Sequence, residues 1–200
     1  MTNQINKQMK NRFSFIGGKQ GQWKITRICS VLGESLEMTD RLHIVNYEMD
    51  AQPIDSVWVL KCFTSNIRYS TRAEQNELKA VTPPLDRDEA ILAVLIPIKK
   101  KDEWWDLAQD ERRAIFEEQS HHTAVGIEYL PGVARKLFHC RDLGEPFDFL
   151  TWFEFSPEHK DAFHHLLLRM RASKEWEYVE REVEVHLLKD TKHSSFISME

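Results

Sequence analysis

The stretch that decides the fold is FDFLTWFEFSPEHKDAFHHLLLRMR, residues 147–171. Its first part, Phe147–Phe155, alternates aromatic or aliphatic residues with polar ones, which is typical of a β-strand. Ser156, Pro157 and Glu158 then predict the start of a helix, because serine caps helices and proline is tolerated in their first turn. We expect this helix to continue to the end of the quoted stretch.

The same order of elements is predicted twice along the chain. Strands are expected over Arg135–Arg141, before the quoted stretch, and over Arg181–Leu188 (REVEVHLL), after it. The repeated order predicts an α+β fold in which two ferredoxin-like repeats form an α+β barrel. The alternative is one mixed sheet with unrelated helices. The matching elements of the first half are strands near 23–31, 57–63 and 90–98, and a helix over 71–81 that begins behind Thr71.

These patterns divide the chain into four parts. Residues 1–12 and 189–200 are polar and aperiodic, and we interpret them as flexible tails. Residues 13–101 form the first ferredoxin-like half, and residues 102–188 contain a helical insert and the second half, in which we place the cofactor site. The insert, DEWWDLAQDERRAIFEEQSHH (Asp102–His122), lies between two predicted strands, where it can build a pocket wall.

The composition excludes several classes of protein. The 200 residues are 42% hydrophobic, with 11 Phe and 6 Trp, which is enough for a sizeable core. A net charge of −5 argues against nucleic acid as a partner. No apolar run approaches the roughly 20 residues of a membrane helix, and the N-terminus lacks a signal-peptide pattern. The three scattered cysteines, Cys29, Cys62 and Cys140, indicate reduced thiols and a cytoplasmic location.

A histidine pair ends the insert, and the helical period distinguishes its members. On one continuous helix, residues seven apart share a face, so His122 falls with Ile115, whereas His121 falls with Glu117 and Glu118. His122 is therefore expected to point inward. No second metal ligand has suitable spacing. A single inward histidine fits a haem better than zinc, because the porphyrin supplies four ligands. The alternative is a structural core histidine.

Two further residues offer complementary chemistry. Arg135 lies in an apolar run, VARKLF, and its guanidinium stays charged at any working pH, so it can hold an anion. The alternative is an edge-strand charge. Glu175, in SKEWEYVE, can accept the second ring proton of a ligand histidine and so fix its orientation. Glu177 and Glu180 are rival candidates for that role.

Three runs together resemble a known family. They are WWDLAQDERRAIFEEQSHH, YLPGVARKLFHCRDLGEPFDFLTWFEF and EWEYVEREV, and the similarity extends from about residue 13 to residue 188. The chain resembles the short, dimeric branch of the chlorite dismutases. That resemblance implies two ferredoxin-like repeats per subunit, a homodimer and one haem b per subunit. It also implies an oxidoreductase that converts chlorite, a small anion, into chloride and dioxygen.

The resemblance also implies roles for individual residues. His122 matches the proximal iron ligand, Arg135 the distal arginine and Glu175 the carboxylate paired with the proximal histidine. The remaining matches are Lys100 and Trp104 near the proximal side and haem edge, Thr151 and Phe153 on the distal wall, and Tyr69 and Arg72 as contacts to the propionates.

Three other functions compete with chlorite conversion. Coprohaem decarboxylases, which act in haem synthesis, belong to the same superfamily, but they usually have longer chains and lack a distal arginine, so Arg135 favours chlorite. A haem-binding protein without chlorite turnover is a second alternative. A structural α+β dimer without a cofactor is the third.

Overall fold

The computed structural model describes residues 11–46, 55–64 and 68–190, and it contains eight β-strands in these ranges. Most of both predicted tails lies outside the described residues. None of the helices in the described ranges has the length and apolarity required to cross a membrane. The strands are β1 (Arg12–Gly18), β2 (Trp23–Leu32), β3 (Arg41–Asn46), β4 (Ser56–Phe63), β5 (Leu92–Lys100), β6 (Val133–His139), β7 (Phe149–Phe155) and β8 (Val179–Lys189).

The strands close into an antiparallel barrel in the order β1-β3-β2-β8-β5-β7-β6-β4. The first four strands are arranged as β4-β1-β3-β2 and the last four as β8-β5-β7-β6, so one relative order occurs twice. Two seams join the two sets. The β2–β8 seam is long, whereas the β4–β6 seam, within the part of the chain that the structure describes, pairs only Phe63 with His139. A fully antiparallel, closed barrel excludes the mixed sheet that the sequence left open.

Helices cover one side of the barrel, and their sequence predictions had mixed outcomes. The helix behind Thr71 is confirmed, since Thr71 and Glu74 form a reciprocal capping box. Ser156 was predicted to cap the helix that follows β7 with its side chain, and this prediction was wrong. Its hydroxyl contacts the Glu158 carboxylate and makes no capping hydrogen bond to the first turn. The helices are α1 (Arg72–Val81), α2 (Asp102–Asp106), α3 (Gln109–Arg113), α4 (His122–Glu128) and α5 (Lys160–Arg171), with a π-helical turn at Ala114–Gln119 and 3₁₀ turns at Arg141–Leu143, Pro157–His159 and Lys174–Tyr178.

The long strands were predictable, and two short ones were not. Strands predicted at 23–31, 57–63, 90–98, 135–141, 147–155 and 181–188 are present with ends shifted by one or two residues. The strands β1 and β3 were not predicted from the sequence. Both are short, and β1 (RFSFIGG) ends in two glycines, a residue type that is depleted in strands.

The alternation of side chains across the sheet produces two separate apolar layers. On β7, Trp152 points into the barrel and packs edge-on against Trp23, while its neighbour Phe153 faces outward and packs against Phe163 of α5. The barrel interior is therefore filled by one cluster, and a second cluster lies between the sheet and α5. The wall shared by these two layers carries the candidate site.

The interior cluster should dominate the stability of the fold. Leu95 is 0% exposed inside the barrel, whereas Leu168 on α5 is 64% exposed. We expect Leu95→Ala to lower the free energy of unfolding by about 2–5 kcal/mol, because it removes buried methyl groups and leaves a cavity. Leu168→Ala, the same chemical change, should stay within about 0.5 kcal/mol. Urea denaturation of both variants provides the measurement, and equal losses would contradict this layer assignment.

Candidate functional site

An apolar cavity lies between the outer face of β5–β7 and the helices α4 and α5. Its space, counted together with the open mouth, is about 1270 Å³. The apolar wall includes Ile96, Ile98, Phe116, Val133, Leu137, Phe149, Phe153, Leu166, Leu167 and Met170.

The sequence predicted nine site residues, and eight of them line this cavity. Arg72 does not: it is exposed at the start of α1. The eight are Tyr69, Lys100, Trp104, His122, Arg135, Thr151, Phe153 and Glu175.

His122 reaches the cavity for a different reason from the one that the helical period gave. The insert is not one continuous helix, because the π-helical turn and the left-handed backbone of His121 (φ 51°) interrupt it. His122 is the first residue of α4. Glu117 accepts hydrogen bonds from the backbone N–H groups of Thr123 (2.7 Å) and Ala124 (3.3 Å), so it caps this helix. The helical period, which grouped Glu117 with His121, did not predict this capping role.

A buried carboxylate orients the His122 imidazole. Nδ1 of His122 lies 2.6 Å from Oε2 of Glu175, and the ring stacks on Phe116 at 4.3 Å between centroids. The other oxygen of Glu175 accepts a hydrogen bond from Nζ of Lys100 at 2.8 Å. With Nδ1 engaged, Nε2 is the ring nitrogen left for a ligand.

The charge of Glu175 is maintained by its neighbours. Burial alone would raise the pKa of Glu175, but the charge of Lys100 and the His122 imidazole oppose it and lower this pKa to about 2. The backbone N–H of Glu175 also donates to Oγ of Ser120 at 2.8 Å, which fixes the 3₁₀ turn against the end of the insert. A permanently ionised acceptor therefore faces His122.

Arg135 occupies the sheet side of the cavity. It lies on β6 opposite Phe153 of β7, with Leu137 and Thr151 as the next pair on the same face. Burial lowers the pKa of Arg135, and the charge of Glu175 partly offsets this effect, yet a guanidinium remains protonated. Among the described residues, no carboxylate forms an ion pair with Arg135. An unpaired cation in an apolar cavity is suited to receive an anion.

Two buried polar atoms at the cavity edge have no hydrogen-bond partner within the described part of the chain. They are the hydroxyl of Tyr69 and Nε1 of Trp104, whose rings pack edge-on at 6.0 Å. Arg113 bonds the backbone oxygen of Tyr69 and also the carboxylate of Glu74, so this edge is tied to α1. Since buried polar groups normally find partners, this edge fits a ligand that carries hydrogen-bond acceptors.

Two basic residues that were not predicted from the sequence also line the cavity, Arg68 and His139. Burial and the charge of Arg68 lower the pKa of His139 to about 4, while Asp142 opposes them. At neutral pH this histidine is therefore uncharged. The only signal for it in the sequence was its position four residues after Arg135 on the same strand, which places both side chains on one face.

The fold and this cavity define an α+β barrel protein with an apolar cavity on the outer face of its sheet. The chlorite dismutase family model matches residues 29–189, and the chain belongs to that family. The dimeric chlorite dismutase of Nitrobacter winogradskyi is 48% identical, with a TM-score of 0.83, over 89% of this chain and 99% of that one.

More distant relatives agree with this assignment. A chlorite dismutase from Candidatus Nitrospira defluvii, in complex with imidazole, has 19% identity and a TM-score of 0.66 over 94% of this chain and 95% of that one, which shows the shared fold. The curated chlorite dismutase of Ideonella dechloratans is 34% identical over 91 residues, or 46% of this chain. The match spans 30% of that relative's length.

The buried Glu175 should make the free energy of unfolding depend on pH in the acidic range. Its pKa is about 2 in the folded chain and about 4.3 in an unfolded one. Because the folded pKa is the lower, the ion pairing stabilises the fold fully above about pH 5, and this contribution is lost as the pH falls toward about 2. We expect the difference in the free energy of unfolding between wild type and Glu175→Gln to shrink over that range in denaturant titrations.

The matched control is Glu77→Gln on the exposed face of α1. The difference in the free energy of unfolding between wild type and Glu77→Gln should stay nearly constant over the same pH range. A constant difference for Glu175→Gln would contradict the proposed ionisation.

Proposed function

We propose that the chain is a haem b-dependent oxidoreductase that converts chlorite into chloride and dioxygen. One observation carries the proposal: the unpaired guanidinium of Arg135 shares an apolar cavity with a histidine that Glu175 orients. Membership of the family supports the same activity, and the Nitrobacter relative is named a dimeric chlorite dismutase. Chlorite is a small anion, which matches a fixed positive charge in a site of low polarity.

The residues of the cavity fit a haem. Nε2 of His122 is available as the single protein ligand to iron, since a porphyrin provides four others. The unpartnered Tyr69 hydroxyl and Trp104 Nε1, with the nearby Arg68, are suited to the propionates. Arg68 is better placed for this role than Arg72, which is exposed. When bound, the haem iron would supply the redox chemistry, and we propose one haem b per subunit.

Glu175 and Lys100 tune the ligand histidine. The ionised carboxylate accepts the Nδ1 proton, which fixes the tautomer of His122 and makes Nε2 a stronger donor. Lys100 keeps that carboxylate charged, and its ammonium lies 4.7 Å from the centre of the Trp104 ring. Lys100 and Trp104 therefore support the ligand side without contacting the substrate.

Arg135 acts on the substrate side by position and charge. A fixed guanidinium attracts chlorite, holds it in the cavity and stabilises negative charge that develops during the reaction. Phe153 and Thr151, which lie on the adjacent strand, form the wall that limits the entry of water. In a site of low polarity, the same positive charge interacts more strongly with an anion than it would in water.

The finer architecture follows as a proposal. Two ferredoxin-like repeats are supported by the strand order that occurs twice. On this proposal β5 belongs to the second repeat, so the boundary falls between β4 and β5 and not after residue 101. A homodimer is supported by the dimeric Nitrobacter relative. A cytoplasmic location is supported by Cys29, Cys62 and Cys140, which are free thiols.

The ligand assignment predicts the effect of removing His122. The purified wild-type chain should show a Soret absorption band, and His122→Ala should lose high-affinity haem, because it removes the imidazole that this proposal assigns to the iron. Haem titration followed by absorption provides the measurement. The control is His121→Ala, which removes the exposed neighbouring imidazole. A fully loaded His122→Ala variant with the wild-type ferric spectrum would rule out His122 as the ligand.

The substrate assignment predicts a separate effect for Arg135. Wild type should release dioxygen from chlorite, and Arg135→Ala should retain haem but lose about 10²–10³-fold in kcat, as expected when one stabilising donor is removed. The haem of Arg135→Ala should also bleach faster during turnover than that of wild type. An oxygen electrode and the Soret band report these two effects. The control is Arg169→Ala, which removes an exposed, Glu128-paired arginine.

Two outcomes would overturn the assignment. Unchanged turnover and lifetime in Arg135→Ala would remove Arg135 from the mechanism. Decarboxylation of iron coproporphyrin by wild type, without dioxygen release from chlorite, would replace chlorite conversion by the haem-synthesis activity.

A further inference from the structure

Three potential metal ligands converge on the outer face of the β2–β8 seam, away from the cavity. Cys29 on β2 and Glu184 on β8 are direct cross-strand partners, and His186 lies two residues further along β8, on the same face. Their donor atoms all lie within 4.8 Å of one another. None of the three lines the cavity. The cluster combines a thiol, a carboxylate and an imidazole, the three ligand types that zinc binds in proteins.

The two oxygens of the Glu184 carboxylate have different partners. Its Oε1 accepts a hydrogen bond from Arg171 at 2.5 Å. Its Oε2 lies 2.6 Å from Nε2 of His186 and 4.0 Å from Sγ of Cys29. One oxygen is therefore anchored while the other is presented between the two remaining donors. This is the arrangement of a monodentate ligand whose second oxygen is held by an outer hydrogen bond.

Neighbouring charges leave this carboxylate available to a cation. Arg171 also binds Glu182, at 2.5 Å, so its positive charge is shared with a second carboxylate. Arg27 lies two residues before Cys29 on the same strand, β2, and its side chain is exposed. The cluster itself is only partly buried, which leaves one side open to water as a fourth ligand.

We propose that Cys29, Glu184 and His186 form a binding site for Zn²⁺ or a similar borderline divalent cation. Sγ, Oε2 and Nε2 are the protein ligands, and a water completes a tetrahedron. On binding, the Cys29 thiol releases its proton to solvent, and the proton between Nε2 of His186 and Oε2 of Glu184 leaves to solvent or, in a neutral ring, is replaced by one on Nδ1. Bonds from Nε2 and Oε2 to the metal then replace that hydrogen bond. Metal–ligand bonds of about 2.0–2.3 Å require the donor atoms to lie about 3–4 Å apart, so small side-chain rotations suffice.

The location gives the site a structural consequence. The ligands come from strands on either side of the long seam that joins the first four strands to the last four. The other seam, over the described residues, pairs only Phe63 with His139. A cation bound across β2 and β8 therefore cross-links the two halves of the barrel and stabilises the folded chain. This inference does not depend on haem or on chlorite conversion.

The test uses the untagged, purified full chain and Zn²⁺ alone. Isothermal calorimetry should show one Zn²⁺ per chain, and Zn²⁺ should raise Tm. Cys29→Ser and His186→Ala should each weaken binding by at least about 100-fold, the upper end of what loss of an outer partner costs at a metal site. The control is His165→Ala, an exposed histidine of α5 outside the cluster, which should bind Zn²⁺ like wild type.

A second measurement distinguishes the loss of a metal ligand from the loss of the folded structure. Co²⁺ bound through Cys29 should give a thiolate-to-metal absorption band in the difference spectrum, and Cys29→Ser should abolish that band while retaining the wild-type circular dichroism. Wild type that binds no stoichiometric Zn²⁺, or variants that bind it as tightly as wild type, would show that the cluster is only a hydrogen-bonded ion-pair network.

Discussion

The site depends on one buried charge, the carboxylate of Glu175. Burying an ionised group is costly unless it is paired and hydrogen-bonded. Glu175 meets this requirement through Lys100 at 2.8 Å, His122 at 2.6 Å and the Ser120 hydroxyl at its backbone N–H. These partners come from the end of β5, the start of α4 and the end of the insert. Satisfying one carboxylate therefore holds three parts of the chain together at the cavity.

The barrel provides the opposite wall by simple alternation. Each strand of the β5–β7 region sends one set of side chains into the barrel core and the other outward to the cavity and α5. Trp152 stabilises the interior, whereas its neighbour Phe153 shapes the site. Arg135 also points outward from its strand toward the cavity, because it lies opposite Phe153 on the same face of the sheet. Stability and site chemistry thus use alternate residues of the same strands, so a substitution can affect one with little effect on the other.

The break at His121 shows how irregular backbone serves the site. The π-helical turn and the left-handed residue change the direction of the chain just before His122. Such turns are frequent at functional sites. Glu117 then caps the new helix, which fixes where His122 begins. The choice of His122 over His121 matches the placement in the structure, although the periodic argument for it assumed a continuous helix that does not exist.

The sequence alone determined the local elements and the candidate residues. The cap at Thr71 and the alternation in β7 were readable because each is decided by neighbours along the chain. His122, Arg135 and Glu175 were candidates from their local sequence, and the resemblance to a known family then implied a role for each. Only the tertiary structure decided the closure of the barrel, the presence of β1 and the contact of Glu175 with a histidine 53 residues away. The physical reason is that long-range pairing and burial depend on how the elements pack, and no local period encodes that.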